Sequence, residues 1–245
     1  MSLSVPPPEP GRPPRSVRPG LWLFAPNRDT HGGSSWWLET PAGAVLVDCP
    51  AITEANLAFV AARAAGGGWI VLTSREGHGR LGRLRSLLPW PVLVQEQEAY
   101  LLPGIDGLVP FGRELAPAPG LRLLWTPGPT PGSCVLHART PAAGDGLFCG
   151  RLLVPQVGGS LAPLRSRRCF HWPRQLASIE RLRHWLPAGS PAWIASGAGL
   201  GALRGEALVG DGAARLAQLD RPSAAGAASA DSAGFGDAGA DQIVL

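Results

Sequence analysis

The sequence contains no lysine. Its 22 permanently basic side chains are all arginine. None of its four cysteines forms a C-x-x-C pair, and most lie in or beside apolar runs, so we expect reduced, buried thiols. No apolar run reaches the roughly 20 residues that a membrane-spanning helix needs. The proline-rich first residues lack the apolar segment of an export signal. These absences argue against a membrane span and predict a cytoplasmic protein.

Charge is spread thinly along the chain. The formal net charge is +4. Residues 1–19 carry three Arg and one Glu, whereas residues 221–245 carry one Arg and three Asp, so the contributions of the two ends cancel. The central part therefore holds a modest positive charge without a concentrated basic surface. This distribution does not favour a nucleic-acid partner.

Composition divides the chain into three parts. Residues 1–17 are rich in Pro, Arg and Ser, and residues 221–245 in Ala, Ser, Gly and Asp. Both segments have too little apolar surface to fold alone, so we predict disordered tails. Residues 18–220 are predicted to form one domain, which is long enough to bury about 70% of its unfolded surface.

Hydrophobic periodicity predicts alternating strands and helices in the central part. Thr53 is the expected N-cap of a helix that extends to Ala65, and Pro173 suits the first turn of another helix. Further helices are predicted over residues 81–88, 95–101 and 203–219. Strands are predicted at residues 20–25, 34–40, 44–49, 69–73, 91–94, 121–125, 134–138, 146–149 and 191–195. This pattern alone indicates an α/β or an α+β fold.

Five short segments in the central part resemble motifs of the metallo-β-lactamase superfamily in order and approximate spacing. The segment LTSREGHG resembles the metal-binding turn T-H-x-H-x-D-H-x-G, and TPGPTPGS resembles T-P-G-H-T-P-G-S. These two segments lie at residues 72–79 and 126–133. The other three are VLVDCP at residues 45–50, LFCGR at residues 147–151 and SGAG at residues 196–199. The resemblance covers roughly residues 18–220. It implies an α+β fold, the four-layer αββα sandwich of the metallo-β-lactamase type.

Members of this superfamily hold one or two metal ions, usually zinc, through His and carboxylate side chains. At the seven positions that the resemblance aligns with those ligands, this sequence has Ser74, Glu76, His78, Gly79, Pro129, Arg151 and Ala198. Only Glu76 and His78 are ordinary ligands, and the permanent charge of Arg151 repels a cation. Because a catalytic zinc site needs about three protein ligands, we predict neither a metal nor any other cofactor.

A carboxylate that remains in such a pocket without a cation needs a new partner. The resemblance places Glu76 and Arg151 at positions that contact the same metal centre. We therefore predict that they pair, with the guanidinium in place of the metal's charge. The alternative is that each side chain reaches solvent separately. The resemblance also implies a supporting role for Asp48, and it places His31 in a loop that could line the pocket.

A catalytic triad can be drawn from residues of the same turn. Ser74, His78 and Glu76 would be the nucleophile, the base and the orienting acid. No oxyanion hole or nucleophile elbow accompanies them in the sequence. A polar loop at a vestigial site is therefore the preferred interpretation.

A basic run at residues 165–174 is a second candidate. Its arginines Arg165, Arg167 and Arg168 could bind an anion or a single-stranded nucleic acid, together with Phe170 and Trp172. The preferred interpretation is a basic loop that enters a helix, with both aromatic side chains in the core.

The sequence thus predicts a pseudoenzyme that binds or scaffolds, with no catalytic residue and no metal. Its partner would be a small anionic metabolite near Arg151, or another protein. One alternative is a hydrolase of esters or thioesters with a rearranged or metal-free site, and another is a nucleic-acid-associated protein. The vestigial pocket would comprise Asp48, Ser74, Glu76, His78, Pro129, Arg151 and Ala198.

Overall fold

The structure is a computed structural model that describes residues 8–219. Its first sheet has seven strands in sequence order: β1 (Arg15–Arg18), β2 (Leu21–Asn27), β3 (Gly33–Thr40), β4 (Gly43–Val47), β5 (Gly68–Val71), β6 (Val92–Gln95) and β7 (Leu108–Phe111). The first four strands pair antiparallel, and the last four pair parallel. The change from antiparallel to parallel pairing follows from the helical crossovers after β4, β5 and β6.

Within residues 8–219, eight further strands follow: β8 (Glu114–Ala118), β9 (Leu121–Trp125), β10 (Cys134–Thr140), β11 (Gly144–Phe148), β12 (Leu153–Pro155), β13 (Leu161–Pro163), β14 (Trp193–Ala195) and β15 (Val209–Gly210). The second sheet has the order β15-β14-β11-β10-β9-β8, and β12 pairs with β13 in a separate hairpin. Within the second sheet only the β11–β14 pair is parallel.

In the described part of the chain, five α-helices connect or flank these strands: α1 (Glu54–Ala61), α2 (Leu81–Arg85), α3 (Glu96–Ala99), α4 (Trp172–Trp185) and α5 (Gly212–Ala217). The side chain of Thr53 caps α1 by accepting a hydrogen bond from Asn56 N, as the sequence predicts. His171 caps α4 through its ring nitrogen, and Pro173 lies in the first turn.

The two sheets pack face to face, with helices on both outer faces. Trp36 of the first sheet and Trp193 of the second are fully buried between them, and both rings pack edge-on against Phe148. The outer face of the first sheet packs against α1 and α2. For example, Ile70 of β5 and Leu84 of α2 belong to the same cluster of buried apolar side chains. The outer face of the second sheet packs against α4 and α5. The predicted four-layer αββα sandwich is confirmed.

The carboxyl ends of β4, β5, β9, β11 and β14 meet at one edge of the sandwich. Two backbone hydrogen bonds join the sheets there: Cys134 N donates to Thr73 O at 2.8 Å, and Ser34 N donates to Gly197 O at 3.0 Å. The five segments that carry the superfamily resemblance follow or end these strands. The fold therefore gathers them in one place.

Several element boundaries differ from the prediction. Strand β1 begins at Arg15, inside the predicted tail, because its backbone pairs with β2. The predicted helix over residues 203–219 is instead a 3-10 turn, a strand and the short α5. Gly205 and Gly210 interrupt it, and Gly205 has a φ of 105°. Residues 1–7 and the predicted tail at 221–245 lie outside the described residues. Within residues 8–219, no helix is both long and apolar enough to cross a bilayer.

Candidate functional site

Asp48 lies directly after β4 and organises the neighbouring strand end. It adopts a left-handed backbone conformation, with φ 59°. Its carboxylate accepts hydrogen bonds from Thr73 N at 2.8 Å and from Thr73 Oγ1 at 2.6 Å. Burial raises the pKa of Asp48 from its ordinary 3.8 to about 6, although the bonds from Thr73 and the charge of Arg151 lower it. These contacts give Asp48 the supporting position that the sequence predicted.

The turn after β5 packs tightly on Asp48. Residues Arg75–Gly77 form one turn of 3-10 helix. A Cβ at Gly77 would lie 2.1 Å from Asp48 Oδ1, so no side chain fits at this position without movement of the turn. Ser74, at the start of the turn, is 3% exposed. The turn thus points Glu76 towards the end of β11 while its backbone rests on Asp48.

Glu76 and Arg151 form an ion pair. Arg151 Nε lies 2.9 Å from Glu76 Oε2, and the two side chains are only 15% and 14% exposed. The predicted pairing is confirmed. With Asp48 and Ser74, the pair surrounds a cavity of about 10 Å³, which is room for about one water molecule.

Arg151 also fixes the loop between β2 and β3. Its Nη2 donates to Thr30 O at 2.7 Å and to His31 O at 3.1 Å. The loop approaches so closely that a Cβ at Gly33 would lie 3.1 Å from this nitrogen. One guanidinium thus compensates a carboxylate and two carbonyl groups at the centre of the strand-end edge.

Glu98 is a buried member of the site that the sequence analysis missed. This α3 residue is 1% exposed. Its Oε2 accepts a hydrogen bond from Arg75 N, and its Oε1 accepts one from Gly132 N at 3.0 Å. Glu98 therefore links the turn after β5 to the TPGPTPGS loop of the second sheet. A helix of four residues outside every motif gave no signal of this role.

His78 does not form the triad that can be drawn in the sequence. Its Nε2 is buried without a hydrogen-bond partner among the described residues. Burial, with a smaller effect from the charge of Arg75, lowers the pKa of His78 from 6.5 to about 4. Ser74 is buried, and Glu76 is held by Arg151. The three side chains are therefore not arranged as nucleophile, base and orienting acid.

A cleft of about 600 Å³ opens on the outer side of the ion pair. Its lining includes Arg151 and Glu76, the predicted pocket residues His31 and Ala198, and Arg168 of the basic run. Arg168 Nη1 lies 4.0 Å from Glu76 Oε1, and its side chain is 62% exposed. The other lining residues are Val154, Pro155, Gln156, Leu164, Ser166, Gly199 and Ala202. The structure thus brings Arg168 to the predicted pocket.

Other predicted site residues lie away from this cleft. Pro129 is used through its backbone, since its carbonyl accepts a hydrogen bond from Phe170 N at 3.1 Å. The guanidinium of Arg165 lies 5.5 Å from the ring centre of Trp172. Phe170 is 46% exposed, so the prediction that it packs in the core is wrong. The reason is its place just before the N-cap His171, outside the helix face that packs on the sheet.

The donor set does not fit the metal ions that the motif resemblance implies. Glu76 binds Arg151, and Asp48 binds Thr73, so both carboxylates have cationic or hydrogen-bonding partners. A Cβ at Gly79 would lie 2.9 Å from Cys49 Cβ, so the backbone has no room for a ligand side chain there. Across residues 8–219, no cluster of three or more His, Cys, Asp or Glu side chains could hold a metal ion.

Comparison of the structure with solved structures identifies the fold. No protein-family model and no curated protein sequence matches the chain. The B3 metallo-β-lactamase BLEG-1 is 21% identical, with a TM-score of 0.59 over 79% of this chain and 95% of that one. The metallo-β-lactamase SMB-1 is 18% identical, with a TM-score of 0.55 over 85% of this chain and 93% of that one. A metallo-β-lactamase superfamily protein of Sulfolobus tokodaii is 16% identical, with a TM-score of 0.53 over 83% of this chain and 84% of that one. These similarities show the fold.

Proposed function

We propose that this chain, which has the metallo-β-lactamase fold, is a metal-independent binding protein for a small anionic ligand. The ligand would lie in the cleft beside Arg151 and Arg168. The observation that carries the proposal is the Glu76–Arg151 pair, because it puts a fixed cation where the fold otherwise supports metal ions. A cation that is part of the protein cannot exchange its ligands or activate a water as a zinc ion does.

The charge of the cleft supports an anion. Glu76 is compensated by Arg151 at 2.9 Å. Arg168 is 4.0 Å from the same carboxylate and largely exposed, so its guanidinium can turn to a ligand. Guanidinium groups bind carboxylates and phosphates through two parallel hydrogen bonds. The cleft volume of about 600 Å³ lies within the range of small-molecule sites.

The test is to titrate the full chain with acetate and with inorganic phosphate, and to measure the dissociation constants by calorimetry. We expect Arg168→Gln to weaken binding of the preferred anion at least tenfold. Arg167→Gln is the matched control, because Arg167 belongs to the same exposed run but does not line the cleft. Equal affinities of the two variants would refute the proposed site.

Metal content gives a second test of the same proposal. Protein purified without chelator should contain far less than one equivalent of zinc, and EDTA should leave its melting temperature unchanged. About one tightly bound equivalent of zinc, with a lower melting temperature in EDTA, would favour the metallo-hydrolase alternative.

The ester or thioester hydrolase with a metal-free site would need a nucleophile. Ser74, the nucleophile of the triad that can be drawn in the sequence, is buried away from the cleft.

The exposed part of the basic run supports a second candidate function. Phe170 is 46% exposed beside Arg167 and Arg168, which are exposed as well. Such a surface can bind single-stranded nucleic acid by charge and stacking. This function predicts salt-sensitive binding of an oligonucleotide that Arg167→Gln weakens, whereas the anion-binding cleft predicts no effect of that variant on acetate or phosphate.

A further inference from the structure

One part of the cleft lining is apolar. It consists of Val154 and Pro155 from β12, Leu164 just after β13, and Ala202 from the 3-10 turn at Leu200–Leu203; we call these residues the hairpin wall. The hairpin and the turn pack on each other, because a Cβ at Gly199 would lie 3.2 Å from Val154 Cβ. The hairpin wall is thus formed by two elements in contact, with Val154 and Pro155 largely buried and Leu164 and Ala202 half-buried.

The charged groups of the cleft sum to a single positive charge. Arg151 and Arg168 contribute two positive charges, and Glu76 contributes one negative charge. His31 also lines the cleft, and Gln156 supplies an uncharged amide. A ligand with one negative charge would balance this set. A second negative charge would face the carboxylate of Glu76 without a further cation among the lining residues.

We propose that the ligand is a monocarboxylate with an apolar chain, whose carboxylate binds Arg168 and whose chain lies on the hairpin wall. This inference rests on the proposed anion-binding function and adds the chemical class of the ligand. An apolar chain would leave water on contact with the hairpin wall, whereas a purely polar anion would gain nothing from it. Each methylene that leaves water contributes about 0.8 kcal/mol, or about fourfold in affinity.

The test uses acetate, butanoate, hexanoate and octanoate as probes with the full chain. We expect the dissociation constant to fall by about two- to fourfold per methylene until the wall is covered, as measured by calorimetry. Octan-1-ol is the uncharged control and should bind at least tenfold more weakly than octanoate. Octanedioate is the dianionic control and should also bind more weakly, since its second carboxylate would lie on the apolar wall.

A variant separates the wall from the anion site. Leu164→Asn keeps the branched shape of the side chain but makes the wall polar. It should remove most of the gain in affinity from acetate to octanoate, measured as the ratio of the two dissociation constants of the variant. Leu101→Asn is the matched control at a partly exposed leucine outside the cleft, and it should retain the full chain-length dependence. Circular dichroism checks that both variants fold. If Leu164→Asn does not fold, the carboxylate series on the unchanged chain alone tests the inference.

The outcomes distinguish this inference from the function on which it rests. If acetate binds in an Arg168-dependent manner but octanoate binds no more tightly, the inference is overturned and the anion site stands. If octan-1-ol binds as tightly as octanoate, the carboxylate is not the anchor, and the inference is again overturned. If no carboxylate of the series binds, both the inference and binding of this anion class fail.

Discussion

Arg151 Nε lies 2.9 Å from Glu76 Oε2, while Nη2 of the same guanidinium donates to the carbonyl oxygen of Thr30 at 2.7 Å. One side chain from the end of β11 thus holds the turn after β5 and the loop before β3. In a metal-binding member of this fold, a cation could join these loops through its ligands. Here the covalent chain supplies that positive charge, so the charge of the site cannot be removed by a chelator.

The first prediction concerns this pair. Arg151→Ala should lower the free energy of unfolding by about 3 kcal/mol, because it leaves the largely buried Glu76 carboxylate and the Thr30 carbonyl without this donor. Urea denaturation measures the loss. The double variant Glu76→Ala/Arg151→Ala should be less destabilised than the sum of the two single changes, since it removes the uncompensated charge. Arg167→Ala, at an exposed position, should change stability by less than about 0.5 kcal/mol. Strict additivity in the double variant would show that the pair is not coupled.

The second prediction concerns Glu98. Glu98→Gln should cost about 1–3 kcal/mol of unfolding free energy, because an amide NH₂ would meet one of the two backbone N–H groups that now donate to the carboxylate. Glu96→Gln is the control in the same short helix, since Glu96 is exposed. Thermal and urea denaturation of both variants measure the difference. A Glu98→Gln protein as stable as the Glu96→Gln protein would contradict the assigned link between the two loops.

Much of the fold could be predicted because the hydrophobic periodicity and the motif order are local properties of the sequence. The strands from β2 to β6, the cap at Thr53 and the Glu76–Arg151 pair follow from them. The short edge strands β7 and β8 could not be found in this way, because Pro110 and Pro117 within them oppose a strand and only pairing with β6 and β9 decides the conformation.

Glu98 shows why part of the site escaped prediction. Its role depends on two backbone N–H groups from distant loops, and no sequence pattern marks an acceptor for such donors. Arg168 is a similar case, because its approach to Glu76 depends on the path of the loop between β13 and α4. The exposure of Phe170 was missed for the same reason, since periodicity does not apply before a helix N-cap.

The third prediction tests the packing of the turn on Asp48. Gly77→Ala should destabilise the protein by several kcal/mol or disrupt the turn, because a Cβ would lie 2.1 Å from Asp48 Oδ1. Gly66→Ala is the matched control, since a Cβ at Gly66 would meet no atom within 4 Å. The melting temperatures of the two variants are compared under the same conditions. Similar temperatures would show that the turn can move away from Asp48 at little cost.

The last prediction concerns the dependence of stability on pH, for which Asp48 and His78 have opposite effects. Burial raises the pKa of Asp48 to about 6, so between pH 3.8 and 6 the folded chain keeps a proton that the unfolded chain has lost. Its contribution to stability therefore falls as the pH rises through this window. Burial lowers the pKa of His78 from 6.5 to about 4, so between these values the unfolded chain binds the extra proton. The contribution of His78 therefore rises with pH and is lost as the pH falls towards 4.

Each effect is about 3 kcal/mol, so the unmodified chain should show only a weak net change of unfolding free energy between pH 4 and 6. Asp48→Asn removes the falling contribution, and its stability should rise with pH over this range. His78→Gln removes the rising contribution, and its stability should fall. Urea denaturation at pH 4, 5, 6 and 7 measures all three slopes independently of any constant loss of stability in either variant. Parallel pH profiles for the two variants would show that burial does not keep Asp48 protonated and His78 neutral between pH 4 and 6. The turn after β5 would then be more open to water than the structure shows.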